Sequence, residues 1–223
     1  MITMMITAAG RIGRKAQSDI ISAVIIVVIT IGLVGTAYTW GLPLLQKQQS
    51  RAVAERVYSY FDRTGQGVSL PELIEEVANS GVEGTERTFS SSDDGIWKLD
   101  ESANYIEFTI SAQTSNIATG IGWICLTGGA TCPPSAGIVG ENAGVVCGRA
   151  DASGTGYNIT YRLWYRELDD ASGTKANSID LVKHSSGPSS STGRDVRIMR
   201  GSVTTSNQAG KTLKTTEVKI LLS

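Results

Sequence analysis

Cys125, Cys132 and Cys147 are the only cysteines of the chain, and they bracket a Gly-rich stretch that also holds Pro133 and Pro134. Thiols this close in sequence can form a disulfide or hold a metal. A structural zinc site asks for about four Cys or His ligands. There is no C-x-x-C pair and His184 is the single histidine, so no metal is expected. In an exported protein, one bridge with one thiol left over is the better reading. Cys147 then pairs with Cys125, joining two predicted strands, or with Cys132, stapling the loop to a strand. Both pairings stay open, and closing such a loop stabilises by about 3 kcal/mol.

Other reactive side chains are sparse. His184 sits in a Ser/Gly loop beside Lys183 with no acid at a suggestive spacing. Asp93-Asp94 and Asp169-Asp170 are adjacent acids, but neither has the D-x-[DN]-x-[DN]-G pattern of a calcium loop, and they read as solvated turn residues. No phosphate-cradling Gly motif and no G-x-S-x-G elbow occurs. The chain therefore reads as no enzyme, with no catalytic residue and no cofactor. Asn158-Ile159-Thr160 matches the N-x-[ST] acceptor pattern, which makes Asn158 a glycosylation candidate if exposed.

Charge points the same way. The 223 residues carry 20 basic and 21 acidic side chains, a net charge of −1. Arg11, Arg14 and Lys15 stand near the N-terminus in a stretch without acids. Setting them aside leaves 17 basic against 21 acidic residues. A mildly acidic body has no electrostatic footprint for nucleic acid. Charged residues are only 18% and Gly counts 25, which suits a β-rich extracellular module.

The one long feature with an obvious partner is apolar. No charged residue occurs from Ile20 to Gln46. An apolar helix of about twenty residues crosses a bilayer core of roughly 30 Å. Ile, Val and Leu occupy every side of this one, as in a helix buried all round in lipid or protein. Tyr38 and Trp40 close the run, where amphipathic rings suit a membrane–water boundary. The basic residues before it place the N-terminus in the cytoplasm and the body outside. Gly32 and Thr36, and Gly35 and Thr39, are spaced by four; with Ser22 these small residues let helices approach closely in lipid.

An ordinary secretory signal puts its cleavage site after the apolar stretch. Here Arg14-Lys15-Ala16-Gln17-Ser18-Asp19 stands before it. In this order of parts the first forty residues resemble the archaeal type IV pilin and archaellin family. Its members carry a basic residue, a Gly or Ala, a scissile bond, a short polar stretch with an acid, and an aliphatic helix often ending in an aromatic. The resemblance implies cleavage at Lys15-Ala16-Gln17, between Ala16 and Gln17, with Asp19 as the acid of the mature helix. It implies a homo-oligomeric helical filament on the cell surface, reached through the cytoplasmic membrane. It also implies a prepilin peptidase, an assembly ATPase and a membrane platform as partners. The expected role is a structural subunit of an adhesive pilus. An archaellum subunit, or an anchored extracellular binding module that does not polymerise, is the alternative.

The expected fold class is α+β: a long N-terminal hydrophobic helix followed by an antiparallel β-sandwich-like head. The parts are a signal peptide at 1–16, an assembly or transmembrane helix at 17–63, a connecting helix at 64–84 and the head at 85–223. Pro43 removes a backbone donor, so a kink or local loosening is expected there. Ser69, Pro71, Glu72 and Gly81 punctuate the connecting helix with a capping box at its start and a glycine at its end. Beyond Gly84 the period becomes two. Tyr157, Ile159, Tyr161, Leu163 and Tyr165 alternate with polar neighbours, and so do the residues of Tyr105–Ile110. Further strands are expected at Ile96–Leu99, Trp123–Leu126, Val145–Arg149, Ile179–Val182, Val196–Met199 and Glu217–Leu222, separated by Gly- and Ser-rich turns.

Overall fold

A computed structural model describes residues 6–223 apart from 66, 121 and 209; for 6–20 the backbone alone is described. The chain divides into two compact units, Met1–Gln48 and Gln49–Ser223. The last turns of the first helix therefore belong with the strands.

Helix α1 runs over Ile6–Ser59 and passes through Gly41 and Pro43 unbroken. Proline removes one donor from the ladder, and here the bonds on either side carry the helix past it, so the expected loosening does not end the element. The helix closes with tightened bonds, Tyr60 N–H to Val57 O at 3.2 Å and Phe61 N–H to Tyr58 O at 3.0 Å, a common way to satisfy terminal carbonyls. Asp62 Oδ1 then accepts from the Thr64 N–H at 2.9 Å and turns the chain.

Helix α2, Leu70–Asn79, starts and stops where its punctuation predicts. The Ser69 N–H donates to Glu72 Oε2 at 3.0 Å, the carboxylate arm of a capping box. Gly81 takes φ +77° just beyond the end, a conformation that favours glycine. Leu70, Leu73, Ile74, Val77 and Ala78 are buried.

Among the described residues twelve strands follow: β1 Glu86–Ser90, β2 Ile96–Asp100, β3 Tyr105–Ala112, β4 Ile124–Cys125, β5 Gly137–Ile138, β6 Gly144–Ser153, β7 Gly156–Tyr165, β8 Leu168–Asp169, β9 Lys175–Lys183, β10 Ser190–Ser191, β11 Asp195–Gln208 and β12 Lys211–Leu222. They form two six-stranded sheets, ordered β1-β11-β12-β9-β8-β5 and β10-β2-β3-β7-β6-β4. With the long apolar helix before them, the fold is α+β.

Most neighbours are antiparallel, but two pairs correct the antiparallel expectation. β9 and β12 pair in parallel from Lys175↔Thr212 to Lys183↔Ile220, and β5 pairs in parallel with β8. Parallel neighbours need a crossover rather than a hairpin. After β9 the chain leaves its sheet to place β10 beside β2, then returns as the β11–β12 hairpin.

One core joins side chains from both sheets with α2 and the end of α1. Phe89, Val196, Ile198, Leu181, Val218 and Ile220 come from the first sheet, and Trp97, Ile106, Phe108, Ile159, Tyr161 and Leu163 from the second. Ala54 and Val57 bring the last turns of α1 into it, and Phe61 joins them from the turn just beyond the helix. Trp97 packs on Phe108, tilted by 31° with 4.3 Å between ring centroids, and meets Phe61 and Phe89 at 6.1 Å. Gly95 is required beside this cluster: a Cβ there would stand 2.4 Å from Phe108 Cζ and 2.7 Å from Thr109 O.

A polar knot fixes the end of α1. Arg56 Nη1 meets Asp93 Oδ1 at 3.0 Å, and the Tyr60 hydroxyl donates to Asp93 Oδ2 at 2.5 Å. Asp93 is thus buried and paired, not the solvated turn residue its sequence neighbourhood suggests. Burial, with the hydrogen bond to Asp93 second, pushes the Tyr60 phenol up from its ordinary pKa. Asp94 does stay exposed, against Arg194 at 2.6 Å.

Candidate functional site

The described part of the apolar helix is bare. Ile21, Val24–Ile29, Ile31, Leu33 and Val34 are all more than half exposed, and Trp40 reaches 76%. Residues from Ile21 onward are long and apolar enough to cross a membrane by length and composition. Soluble proteins rarely expose contiguous apolar patches beyond a few hundred Å², so such a surface needs lipid or protein against it.

The small residues add shape to this surface. Gly32, Gly35, Thr36 and Thr39 stand at i, i+3, i+4 and i+7, on one helix face. A Cβ added at Gly32 or Gly35 meets nothing within 4 Å. Their lack of a side chain serves no contact among the described residues. The threonine hydroxyls are satisfied by the helix itself, Thr36 Oγ1 donating to Gly32 O at 2.8 Å and Thr39 Oγ1 to Thr36 O at 2.9 Å. Thr30 does the same to Ile26 O at 2.7 Å. This back-bonding lets threonine enter an apolar contact without an orphan donor. Ser22 is exposed near the start of the described side chains. Lys15, Ala16, Gln17 and Asp19 fall on helical backbone, and their side chains lie outside the described residues.

The cysteines do converge. Cys132 and Cys147 are joined by a disulfide with Cα atoms 6.3 Å apart, and Cys125 is free. Cys125 is nevertheless the cross-strand neighbour of Cys147 in the β4–β6 pair, and the three sulfurs lie within 4.8 Å of one another. The free thiol points to Thr127 O at 3.1 Å. With two of the three sulfurs in a bridge, the cluster falls short of the donors that zinc needs. Peptide mapping of natively produced protein without reductant is expected to recover Cys132 linked to Cys147 and Cys125 alkylated. A Cys125–Cys147 peptide would overturn that pairing.

The bridge anchors a second, smaller cluster that alternation in β7 hides. Trp164 stands on the face of β7 that Asn158, Thr160 and Arg162 make polar, yet it is buried with Tyr105, Val145 and Cys147, while Trp123, Ala130 and Cys132 pack over them. The covering segment, not the strand, makes this face dry. Arg162 lies 3.8 Å from the centroid of Tyr105 and 4.0 Å from that of Trp123, and its Nε donates to the buried Glu107 at 2.8 Å. A guanidinium held between rings and a carboxylate is stabilised by about 2 kcal/mol in such a desolvated place.

The remaining candidates stay apart. His184 Nδ1 sits 2.7 Å from Ser186 Oγ in its own turn. Asp170 closes a turn: the Ser172 hydroxyl, then the Lys175 N–H, hold its carboxyl below the usual range. Asp169 pairs with Lys211, which also meets Glu167. Asn158 is half-buried on the outer side of β7 and accepts from the Ser111 hydroxyl at 3.0 Å. No protein-family model, no curated protein and no solved structure matches this chain.

Proposed function

We propose that the chain is the precursor of a structural subunit of an archaeal type IV pilus-like surface filament. Its N-terminal helix forms the filament core, and its β-sandwich-like head coats the outside and mediates adhesion. The observation that carries this reading is the bare apolar helix with one small-residue face, followed by a separately packed head. Such a helix is inserted in the cytoplasmic membrane before assembly and in other copies of itself afterwards. A head-to-tail contact that does not close on itself builds a helical filament. Adhesion is favoured over the archaellum role because nothing in helix or head reports a motor. A peptidase that trims residues 1–16, an assembly ATPase and a membrane platform complete the pathway.

The same helix would equally anchor a single-copy surface binding module, and the two readings differ at the N-terminus. Intact-mass measurement of protein from the native surface fraction is expected to give a chain beginning at Gln17. A mass that includes Met1 to Ala16 would leave the anchored module standing and remove the filament reading.

A further inference from the structure

The core face of the first sheet changes character along its strands. In β11 the inward positions run Val196, Ile198, Arg200; in β12, read backwards, Ile220, Val218, Thr216, Lys214; in β9, Leu181, Ile179, Asn177. The register aligns these changes, with Thr216 opposite Ile179 and Lys214 opposite Asn177. An apolar stripe thus gives way to cations, amides and hydroxyls on one shared face. The end of α2, through Glu75, Ala78 and Asn79, and the segment 141–143 stand over it, leaving an open cleft of about 460 Å³.

Charge in this cleft is unbalanced. Its two acids are already engaged: Glu75 by Arg63 at 2.6 Å and Glu141 by Arg166 at 2.9 Å. Its two cations are not. Neither Arg200 nor Lys214 has a side-chain ion pair among the described residues, and the Arg200 Nε–H is buried without a hydrogen-bond partner. A buried unpaired donor on a charged group is costly, and an anion beside it removes that cost. Around the cations stand Asn79, Asn142, Asn177 and Thr216, groups that bind hydroxyls in both directions.

We propose that this cleft binds an acidic sugar, its carboxylate against Arg200 and Lys214 and its hydroxyls against the surrounding amides. The carboxylate takes the forked guanidinium geometry. The apolar lining of Ala143 and Leu168 suits the C–H face of a sugar ring. The site does not depend on whether the head is carried by a filament or by a single anchor.

The test is calorimetric titration of the full chain, in non-ionic detergent, with glucuronate, glucose and sulfate. Saturable millimolar binding of glucuronate is expected, with glucose and sulfate each about tenfold weaker or worse. Lys214→Gln, at an exposed position, and Arg200→Gln are each expected to weaken glucuronate about 10- to 100-fold, while the thermal unfolding midpoint of Lys214→Gln stays at the wild-type value. Absence of saturable glucuronate binding overturns the proposal. Sulfate or glucose binding as tightly as glucuronate overturns the acidic-sugar assignment, and so does unchanged affinity in Lys214→Gln.

Discussion

If the chain builds the proposed filament, Gly35→Leu is expected to abolish sheared surface filaments while leaving membrane insertion and the head intact. The isolated chain gives leucine no reason to fail. Open space surrounds the position where its Cβ would go, leucine is the better helix former by roughly 0.8 kcal/mol, and lipid accepts it. Any loss must come from another molecule. Where helices approach through Gly32, Gly35, Thr36 and Thr39, an added isobutyl group forces them apart at about 1–3 kcal/mol per contact. A subunit inside a helical array meets that penalty at each neighbour, and about 1.4 kcal/mol is already a factor of ten in an association constant. Gly35→Ala adds one methyl and should thin the filaments rather than remove them. Electron microscopy of the sheared fraction, read beside membrane fractionation of the same cells, gives the result. Abundant filaments from Gly35→Leu would show that this face is not a packing face.

How much of this was legible beforehand depends on where the information sits. β7 announces itself because Tyr157, Ile159, Tyr161, Leu163 and Tyr165 mark one face without ambiguity. α2 is legible in place because Ser69, Glu72 and Gly81 are local signals with local geometry, although the helix itself, Leu70–Asn79, is shorter than the 64–84 segment expected for it. The outer halves of β11 and β12 are not: Thr204–Gln208 are polar throughout, and Lys211–Thr215 hold Leu213 as their single apolar residue, so no period stands out. They are strands because they pair with each other over a ladder from Val203↔Thr216 to Gln208↔Lys211. The parallel partner of β12 lies 37 residues back in register, Lys175 beside Thr212, beyond any local pattern. Asp93 looks like a turn acid because its partners Arg56 and Tyr60 precede it by more than thirty residues. The apolar helix was plain from composition alone. The cation cleft was not, since it exists only where three strands reach the end of their apolar stripe in register.

Trp97→Ala is expected to cost the head about 3–5 kcal/mol, the usual penalty for emptying a buried aromatic site. Trp97 is fully buried, and its ring is shared by Phe61 from the turn after α1, Phe89 from β1 and Phe108 from β3. Removing it leaves three rings from different elements facing a void that none can close without leaving its own rotamer. Domains are stable by only about 5–15 kcal/mol, so this single change removes roughly a fifth of the margin or more. For a unit the size of Gln49–Ser223 the unfolding midpoint should fall by about 6–20 °C. Trp97→Phe should fare far better for a reason visible in the same site. The Trp97 Nε1–H is buried with no hydrogen-bond partner among the described residues, and an unsatisfied donor costs about 1–3 kcal/mol. Phenylalanine keeps an aromatic ring between Phe61 and Phe108 and deletes that donor, so lost packing and relieved desolvation offset each other. Near-UV circular dichroism melts of the two variants in the same detergent separate the cases. Equal destabilisation by phenylalanine and alanine would mean that the indole nitrogen has a partner and that its hydrogen bond, not ring packing, holds the centre of the head together.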